Sequence, residues 1–214
     1  MDFKVYGKFV KKGDFIYMTD TYMQFGESED IIGACVLCNP GASSFKDKSE
    51  EEKLQRYAGE REYEGEGELK PDATMKQIGE ILKNAYDDKL EGKFMIFNTF
   101  TIRNSNMSEA KKLLKDSAVD KELLFIDYNR YKDKYSEIPY ILVGWGCEDY
   151  KNLKNEKNKW LSFIKEKNIT YIGIQAKKPP HYYHPLPHIK EKQEEYKRNI
   201  YEQYIDLLGL ESSF

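Results

Sequence analysis

Features that define several common classes of protein are absent from this sequence. Cysteine is scarce: the 214 residues contain three, an odd number that argues against a disulfide framework and fits a reducing compartment. No apolar run approaches the length needed to cross a bilayer, and the N-terminal residues lack the apolar stretch of a signal peptide. We therefore expect a cytoplasmic protein that does not associate with membranes.

Glycine-rich phosphate-binding loops are also missing. No G-x-G-x-x-G follows a predicted strand, and the pattern G-x-x-x-x-G-K-[ST] does not occur. Dinucleotide-binding proteins and P-loop NTPases need these loops, because the loop backbone approaches the phosphates closely. Both functional classes therefore lose their main support.

The few cysteines do not form an obvious metal or redox site. Cys35 and Cys38 have the C-x-x-C spacing, but they lie in IIGACVLCNP, which has the composition of a buried strand. Successive side chains of a strand point to opposite faces, so cysteines three positions apart are separated. Because free cysteine behaves as a small hydrophobic residue, we interpret both of them, and Cys147, as core residues.

The charged residues are unevenly distributed, although the formal net charge is only −3. Residues 47–72 carry ten acidic and five basic side chains, whereas residues 151–198 carry twelve basic and five acidic ones. The basic region favours a surface that contacts nucleic-acid phosphates. The alternative is that both regions are solvated faces of helices.

Short apolar runs alternate with segments of helical periodicity. FKVYGKFV and FIYMTD predict an N-terminal hairpin, and buried strands are predicted from IIGACVLC, KFMIFNTFTI, IPYILVGWG and ITYIGIQA. Helices are predicted from DATMKQIGEILKNAYDD with Asp72 as N-cap, from SEAKKLLKD, and over residues 151–167 and 189–208. The pattern predicts one α/β domain over residues 1–214, a three-layer α/β/α sandwich around a central, mainly parallel four-stranded sheet.

Two segments lie outside this predicted sandwich. Residues 1–30 are predicted to form an N-terminal hairpin extension, and residues 46–72 an exposed acidic insertion or partly ordered loop. The insertion is too short to be a domain of its own.

Polar or glycine-containing sequences follow the predicted buried strands, and in parallel sheets the ligand site lies beyond these carboxyl ends. In chain order they are CNPGASSF, FMIFNTFTIR, ILVGWG and a loop with all three histidines, HYYHPLPH at 181–188. This series resembles the motifs of the uracil-DNA glycosylase superfamily, whose last motif is a His-Pro-x-Pro loop, matched by His184-Pro185-Leu186-Pro187. The resemblance spans roughly residues 31–188 and implies that family's fold.

The resemblance implies a role for each matched position. Asn39 corresponds to the residue that positions the attacking water, and His184 to the histidine that donates a hydrogen bond to the departing base. Asn98 corresponds to the amide that reads the Watson–Crick edge of the base, because one carboxamide offers both a donor and an acceptor. Phe45 corresponds to the aromatic ring on which the flipped base stacks.

The chain departs from the family pattern at two positions of the first motif. Fast members have Asp where this chain has Asn39, so slower chemistry is expected, as in the thymine- and mismatch-directed branch. Uracil-specific members place Tyr at the position of Gly41, and Gly41 with Ala42 removes that wall, so we expect a pocket that admits a 5-substituted pyrimidine. Four cluster-ligating cysteines are lacking, so no iron–sulfur cluster or other cofactor is expected.

The spacing of His181, His184 and His188 also allows a zinc site. Prolines inside the segment disfavour a helix, however, and no cysteine or obvious carboxylate supplies a fourth ligand nearby, so we predict no metal. Contacts to DNA are expected from the lysines and apolar side chains in and around this loop: Lys177, Lys178, Tyr182, Tyr183, Leu186 and Lys190.

Each of these residues also has a purely structural interpretation. Asn39 could only cap a turn, Asn98 could only bond to backbone within the sheet, and Phe45 could belong to the core. Tyr182 and Tyr183 could cover the end of the sheet, and Trp145 is interpreted as structural.

The leading hypothesis is a monomeric DNA glycosylase that hydrolyses the N-glycosidic bond of a modified or damaged pyrimidine and leaves an abasic site, in DNA repair or in defence against phage. One alternative is a non-catalytic binding module for a modified base or nucleotide. Another is an N-glycosidase that acts on a free nucleoside or nucleotide, with the acidic insertion excluding duplex DNA.

Overall fold

The computed structural model describes residues 3–59, 61–86, 89–126 and 138–209. Its strands are β1 (Phe3–Lys12), β2 (Phe15–Phe25), β3 (Ile31–Leu37), β4 (Tyr63–Leu69), β5 (Gly92–Asn98), β6 (Tyr140–Val143) and β7 (Thr170–Ile172). Its helices are α1 (Lys48–Arg56), α2 (Ala73–Tyr86), α3 (Met107–Leu113), α4 (Lys121–Leu124), α5 (Lys151–Glu166) and α6 (Gln193–Leu208). Within this part of the chain, no helix combines the length and the apolar character needed to span a membrane.

All seven strands form one mixed sheet in the order β4-β1-β2-β5-β3-β6-β7. Strands β5, β3, β6 and β7 run parallel to one another. The other pairs are antiparallel: β2 with β5, β1 with β2, and β4 with β1. The predicted central four-stranded, mainly parallel sheet with a separate hairpin is therefore wrong. The hairpin pairs with the edge of β5, where unpaired backbone groups would otherwise be exposed.

The acidic segment forms regular structure instead of the predicted loop. Asp47 caps α1, and its carboxylate accepts the backbone N–H of Ser49 at 2.7 Å. Strand β4 carries exposed Glu64 and Glu66 on one face, while its glycines lie against the ring of Phe45. Pairing with β1 thus turns a polar, glycine-rich sequence into an edge strand.

Apolar side chains of the parallel strands pack on both faces of the sheet. Along β3, Cys35 and Leu37 join the cluster that includes α2 and α6, whereas Ala34 and Val36 join the cluster that includes Trp160 of α5. Cys35 and Cys38 are buried, which confirms their interpretation as core residues. Cys147 is exposed, so the same prediction is wrong for that residue; it lies in the loop after β6 rather than in a strand.

Candidate functional site

An open cavity of about 570 Å³ lies beyond the carboxyl ends of β3 and β6. Its wall comes from the end of β3, the start of α3, the loop after β6, the histidine loop (residues 181–188) and the start of α6. The lining residues are Cys38, Met107, Trp145, Gly146, Cys147, Glu148, Tyr183, His184, Pro187, His188, Ile189, Lys192 and Tyr196. The cavity is thus mostly apolar and aromatic, with a few polar groups, as is usual for small-molecule sites.

The turn after β3 places Asn39 beside the cavity-lining Cys38. The amide nitrogen of Asn39 donates to the carbonyl of Asn104 at 2.8 Å, so its carbonyl oxygen is the atom that can accept a hydrogen bond from water. Gly41 has φ +61°, and a Cβ there would meet no atom within 4 Å. Ala42 is exposed, and Asn39, Gly41 and Ala42 are not among the residues that line the cavity.

His184 lies in the cavity wall and is fixed by the backbone of Leu186. Its Nδ1 lies 2.9 Å from the carbonyl oxygen and 3.2 Å from the amide nitrogen of Leu186. The first contact suits a protonated Nδ1 and the second an unprotonated one, so the loop accommodates either neutral tautomer. Burial lowers the pKa of His184 below its usual 6.5, so the imidazole is neutral at physiological pH.

The histidine loop is held against the sheet by contacts on both sides of His184. The side-chain amide of Gln77 donates to the carbonyl of Pro185 at 2.8 Å, and the indole N–H of Trp145 donates to the carbonyl of Pro180 at 2.8 Å. A Cβ on Gly144 would lie 2.5 Å from the ring of Pro185, so only glycine allows this close approach. These contacts fix the position of the imidazole.

Lys157 of α5 links the loop after β6 to the histidine loop. It is fully buried, and its ammonium lies 2.8 Å from the carbonyl of Gly146, 3.0 Å from that of Glu148 and 3.2 Å from Nδ1 of His181. Burial lowers the pKa of Lys157. Sequence reasoning missed this residue, although its position between Leu153 and Trp160 on the apolar stripe of α5 was a signal.

Two further residues assigned to base recognition, Asn98 and Phe45, also lie outside the cavity wall. Asn98 is buried and lines a separate cavity of about 60 Å³ with Asp20, Thr101 and Glu122, among others; its Oδ1 has no hydrogen-bond partner among the described residues. Phe45 is 1% exposed and packs edge-on against Phe9, with ring centroids 4.8 Å apart. The structure therefore brings neither side chain into the cavity wall formed by His184.

The residues assigned to DNA contact differ in exposure. Lys177, Lys178 and Lys190 are exposed, Leu186 is half-buried, and Tyr183 is 37% exposed in the cavity wall. Tyr182 is buried and packs edge-on against Trp145 at 5.7 Å, so it covers the sheet end. Sequence reasoning gave His188, Ile189, Lys192 and Tyr196 no role in this cavity, although His188 ends the histidine loop and the other three belong to the segment that follows it.

The three histidines do not converge on one point. His181 is buried, His184 is half-buried and His188 is exposed. Within residues 3–59, 61–86, 89–126 and 138–209, no group of three histidine, cysteine, aspartate or glutamate side chains is arranged to hold a metal ion.

Protonation of the enclosed histidines is expected to destabilise the fold at acidic pH. Burial lowers the pKa of both His181 and His184 below 6.5, so between that value and the lowered pKa the unfolded chain binds more protons than the folded one. The free energy of unfolding should therefore fall as the pH drops below about 6.5. Urea unfolding at several pH values measures this slope. Replacing both residues by glutamine should flatten it, whereas His188→Gln should not; an unchanged slope in the double variant would contradict the assignment.

Comparison with known proteins assigns this chain to a family but gives no information on the site. No curated protein and no solved structure matches the chain. A family model described as a protein of unknown function, DUF1643, matches residues 65–186. The match runs from β4 through β5, β6 and β7 into the histidine loop, and it leaves out Asn39. Because it covers more than half of the sequence, this protein belongs to the DUF1643 family.

Proposed function

We propose that this protein is a DNA glycosylase that hydrolyses the N-glycosidic bond of a modified or damaged pyrimidine and leaves an abasic site. The main support is the position of the neutral His184 in an aromatic cavity at the carboxyl ends of β3 and β6. The turn that holds Asn39 directly follows Cys38 in the wall of this cavity. A flipped-out base needs such a pocket, because chemistry on a stacked base is blocked.

His184 supplies a hydrogen-bond donor without supplying a proton. When the amide of Leu186 donates to Nδ1, the neutral ring carries its hydrogen on Nε2. This N–H then donates a hydrogen bond to a carbonyl oxygen of the base, and the hydrogen stays on the ring. Cleavage sends the electron pair of the sugar–base bond onto the base, so negative charge grows on that oxygen. A donor placed there in advance stabilises the transition state more than the ground state.

Asn39 orients the attacking water. The water oxygen forms a bond to the anomeric carbon as the bond to the base nitrogen breaks, and one water proton finally reaches the base or solvent. An amide cannot accept that proton, so Asn39 only positions the nucleophile through its carbonyl oxygen. This role predicts slow catalysis, since no general base assists the water.

Tyr183 takes the stacking role that sequence reasoning gave to Phe45. Its ring is partly exposed in the cavity wall and packs against Tyr196 with centroids 5.5 Å apart. The lack of a bulky side chain at Gly41 and Ala42, in the turn that follows the cavity-lining Cys38, supports acceptance of a substituent at C5 of the pyrimidine. We assign the phosphate contacts to Lys177, Lys178 and Lys190, whose side chains are exposed.

A binding module without turnover is the second candidate. The specific observation in its favour is the separation of Asn98 and Phe45 from the cavity lined by His184, because the base would then lack two of the contacts implied by the resemblance. Tight binding of modified DNA with no base release would select this function. A free nucleoside substrate would differ from both, because its binding would depend only weakly on salt.

Base release tests the proposal directly. The protein is incubated with DNAs that contain uracil, thymine mismatches, 5-hydroxymethylcytosine or glucosylated cytosine, and hot alkali then cleaves abasic sites. We expect cleavage with a 5-substituted base, and a loss of at least tenfold in Asn39→Ala. Asn155→Ala, an exposed asparagine on α5, is the matched control. Absence of cleavage with every substrate at high protein concentration would overturn the proposal, and a preference for plain uracil would overturn the 5-substituent assignment.

A further inference from the structure

Lys157 places a buried positive charge directly behind the cavity wall. The two carbonyl groups that it contacts belong to Gly146 and Glu148, both of which line the cavity. Its third neighbour is Nδ1 of His181, at 3.2 Å. The ammonium is thus held where the loop after β6 meets the histidine loop.

The geometry indicates the charged form of Lys157. Nε2 of His181 has no hydrogen-bond partner among the described residues, but it lies 3.8 Å from a carboxylate oxygen of Asp149. The negative charge of that carboxylate favours a hydrogen on Nε2, which leaves Nδ1 as an acceptor. Three acceptors then surround the lysine nitrogen, and an ammonium has three N–H donors to match them. A neutral amine could satisfy only two.

No carboxylate neutralises this charge at contact distance. Among the described residues, Lys157 forms no salt bridge, and the carboxylate of Glu148 is bound instead to Lys111 at 2.6 Å. The ammonium is stabilised by backbone dipoles and an imidazole. Because a buried charge is weakly screened, its field extends into the adjoining cavity.

We propose that Lys157 makes this cavity a site for planar anions. In the reaction, Lys157 then stabilises the pyrimidine that departs as an anion; this second part rests on the proposed glycosylase function. The electron pair of the broken glycosidic bond leaves with the base, so the bound product carries the negative charge that the site favours. Lys157 acts through the wall, as a positioning and electrostatic residue, whereas His184 contacts the base.

Binding of free pyrimidines tests the anion site without requiring catalysis. Calorimetric titration compares barbiturate, a planar pyrimidine that is anionic at neutral pH, with uracil, which is neutral. We expect the wild-type protein to prefer the anion by on the order of tenfold. Lys157→Met should lose this preference and Lys157→Arg should keep most of it. Lys165→Met, an exposed lysine of the same helix, should match the wild type. A wild-type protein without preference for the anion overturns the proposal.

Further measurements distinguish a loss of folding from a loss of charge. They also test the anion site separately from the proposed glycosylase function. Should Lys157→Met not fold, Lys157→Gln keeps donors for the carbonyl groups and removes the charge; retained anion preference in that variant overturns the proposal. In base release, loss of Lys157 should make the rate depend more steeply on the acidity of the departing base, which a purely structural role would not change. Lys157-dependent anion binding without base release from any DNA would refute the glycosylase function alone, whereas base release without anion preference would refute this inference alone.

Discussion

His184→Ala is expected to slow base release by about 10²–10³-fold, because it removes a donor aligned with the oxygen on which negative charge develops. The imidazole is positioned by Leu186 and burial lowers its pKa, so in the proposed reaction His184 is a neutral hydrogen-bond donor. Single-turnover rates of base release measure the effect on the chemical step rather than on binding.

A conservative variant distinguishes this role from a structural one. His184→Gln carries an amide nitrogen near the position of Nε2 and should recover part of the rate, while both variants should unfold at similar urea concentrations. If His184→Ala releases base within about threefold of the wild-type rate, His184 does not stabilise the departing base.

Phe45→Ala is expected to lower the free energy of unfolding by about 3–4 kcal/mol, because it leaves a cavity beneath β4. Phe45 is 1% exposed, its ring contacts Phe9, and Gly65 and Gly67 lie against it. Urea denaturation gives the change in free energy, and Phe45→Leu should cost less because it fills more of the space.

Activity per folded molecule separates a core role from base stacking. Since Phe45 lies outside the cavity wall, Phe45→Ala should release base at nearly the wild-type rate wherever it remains folded. Tyr183→Ala should show the reverse pattern, with weak effects on stability and weaker binding of modified DNA. A large loss of chemistry in folded Phe45→Ala protein would restore the stacking role.

Local patterns were sufficient to predict most of the elements. The apolar runs became β3, β5, β6 and β7, and helical periodicity with Asp72 as cap predicted α2, where the Asp72 carboxylate accepts the N–H of Met75 at 2.8 Å. These features depend on residues close in sequence. Glutamates and glycines gave no such signal for β4, because pairing with β1 supplies the stabilisation.

The location of the site, but not all of its side chains, could be predicted from the sequence. The carboxyl ends of parallel strands meet at one edge, so a cavity near the turn after β3 and the histidine loop followed from strand order along the chain. Motif order could not tell that Phe45 lies under β4, or that Asn98 lines a different cavity. Lys157 was not predicted, because its contacts come from the loop after β6 and from the histidine loop, and only the tertiary structure brings these segments together.

By itself, the sequence determined the α/β class, the main strands and helices, and the edge of the sheet at which His184 lies, because periodicity and capping act over a few residues. Only the tertiary structure decided that the hairpin and the acidic segment extend the sheet to seven strands, and which polar side chains share a cavity. Those outcomes depend on pairing and packing between segments far apart in the chain, where burial and backbone hydrogen bonding outweigh local preference.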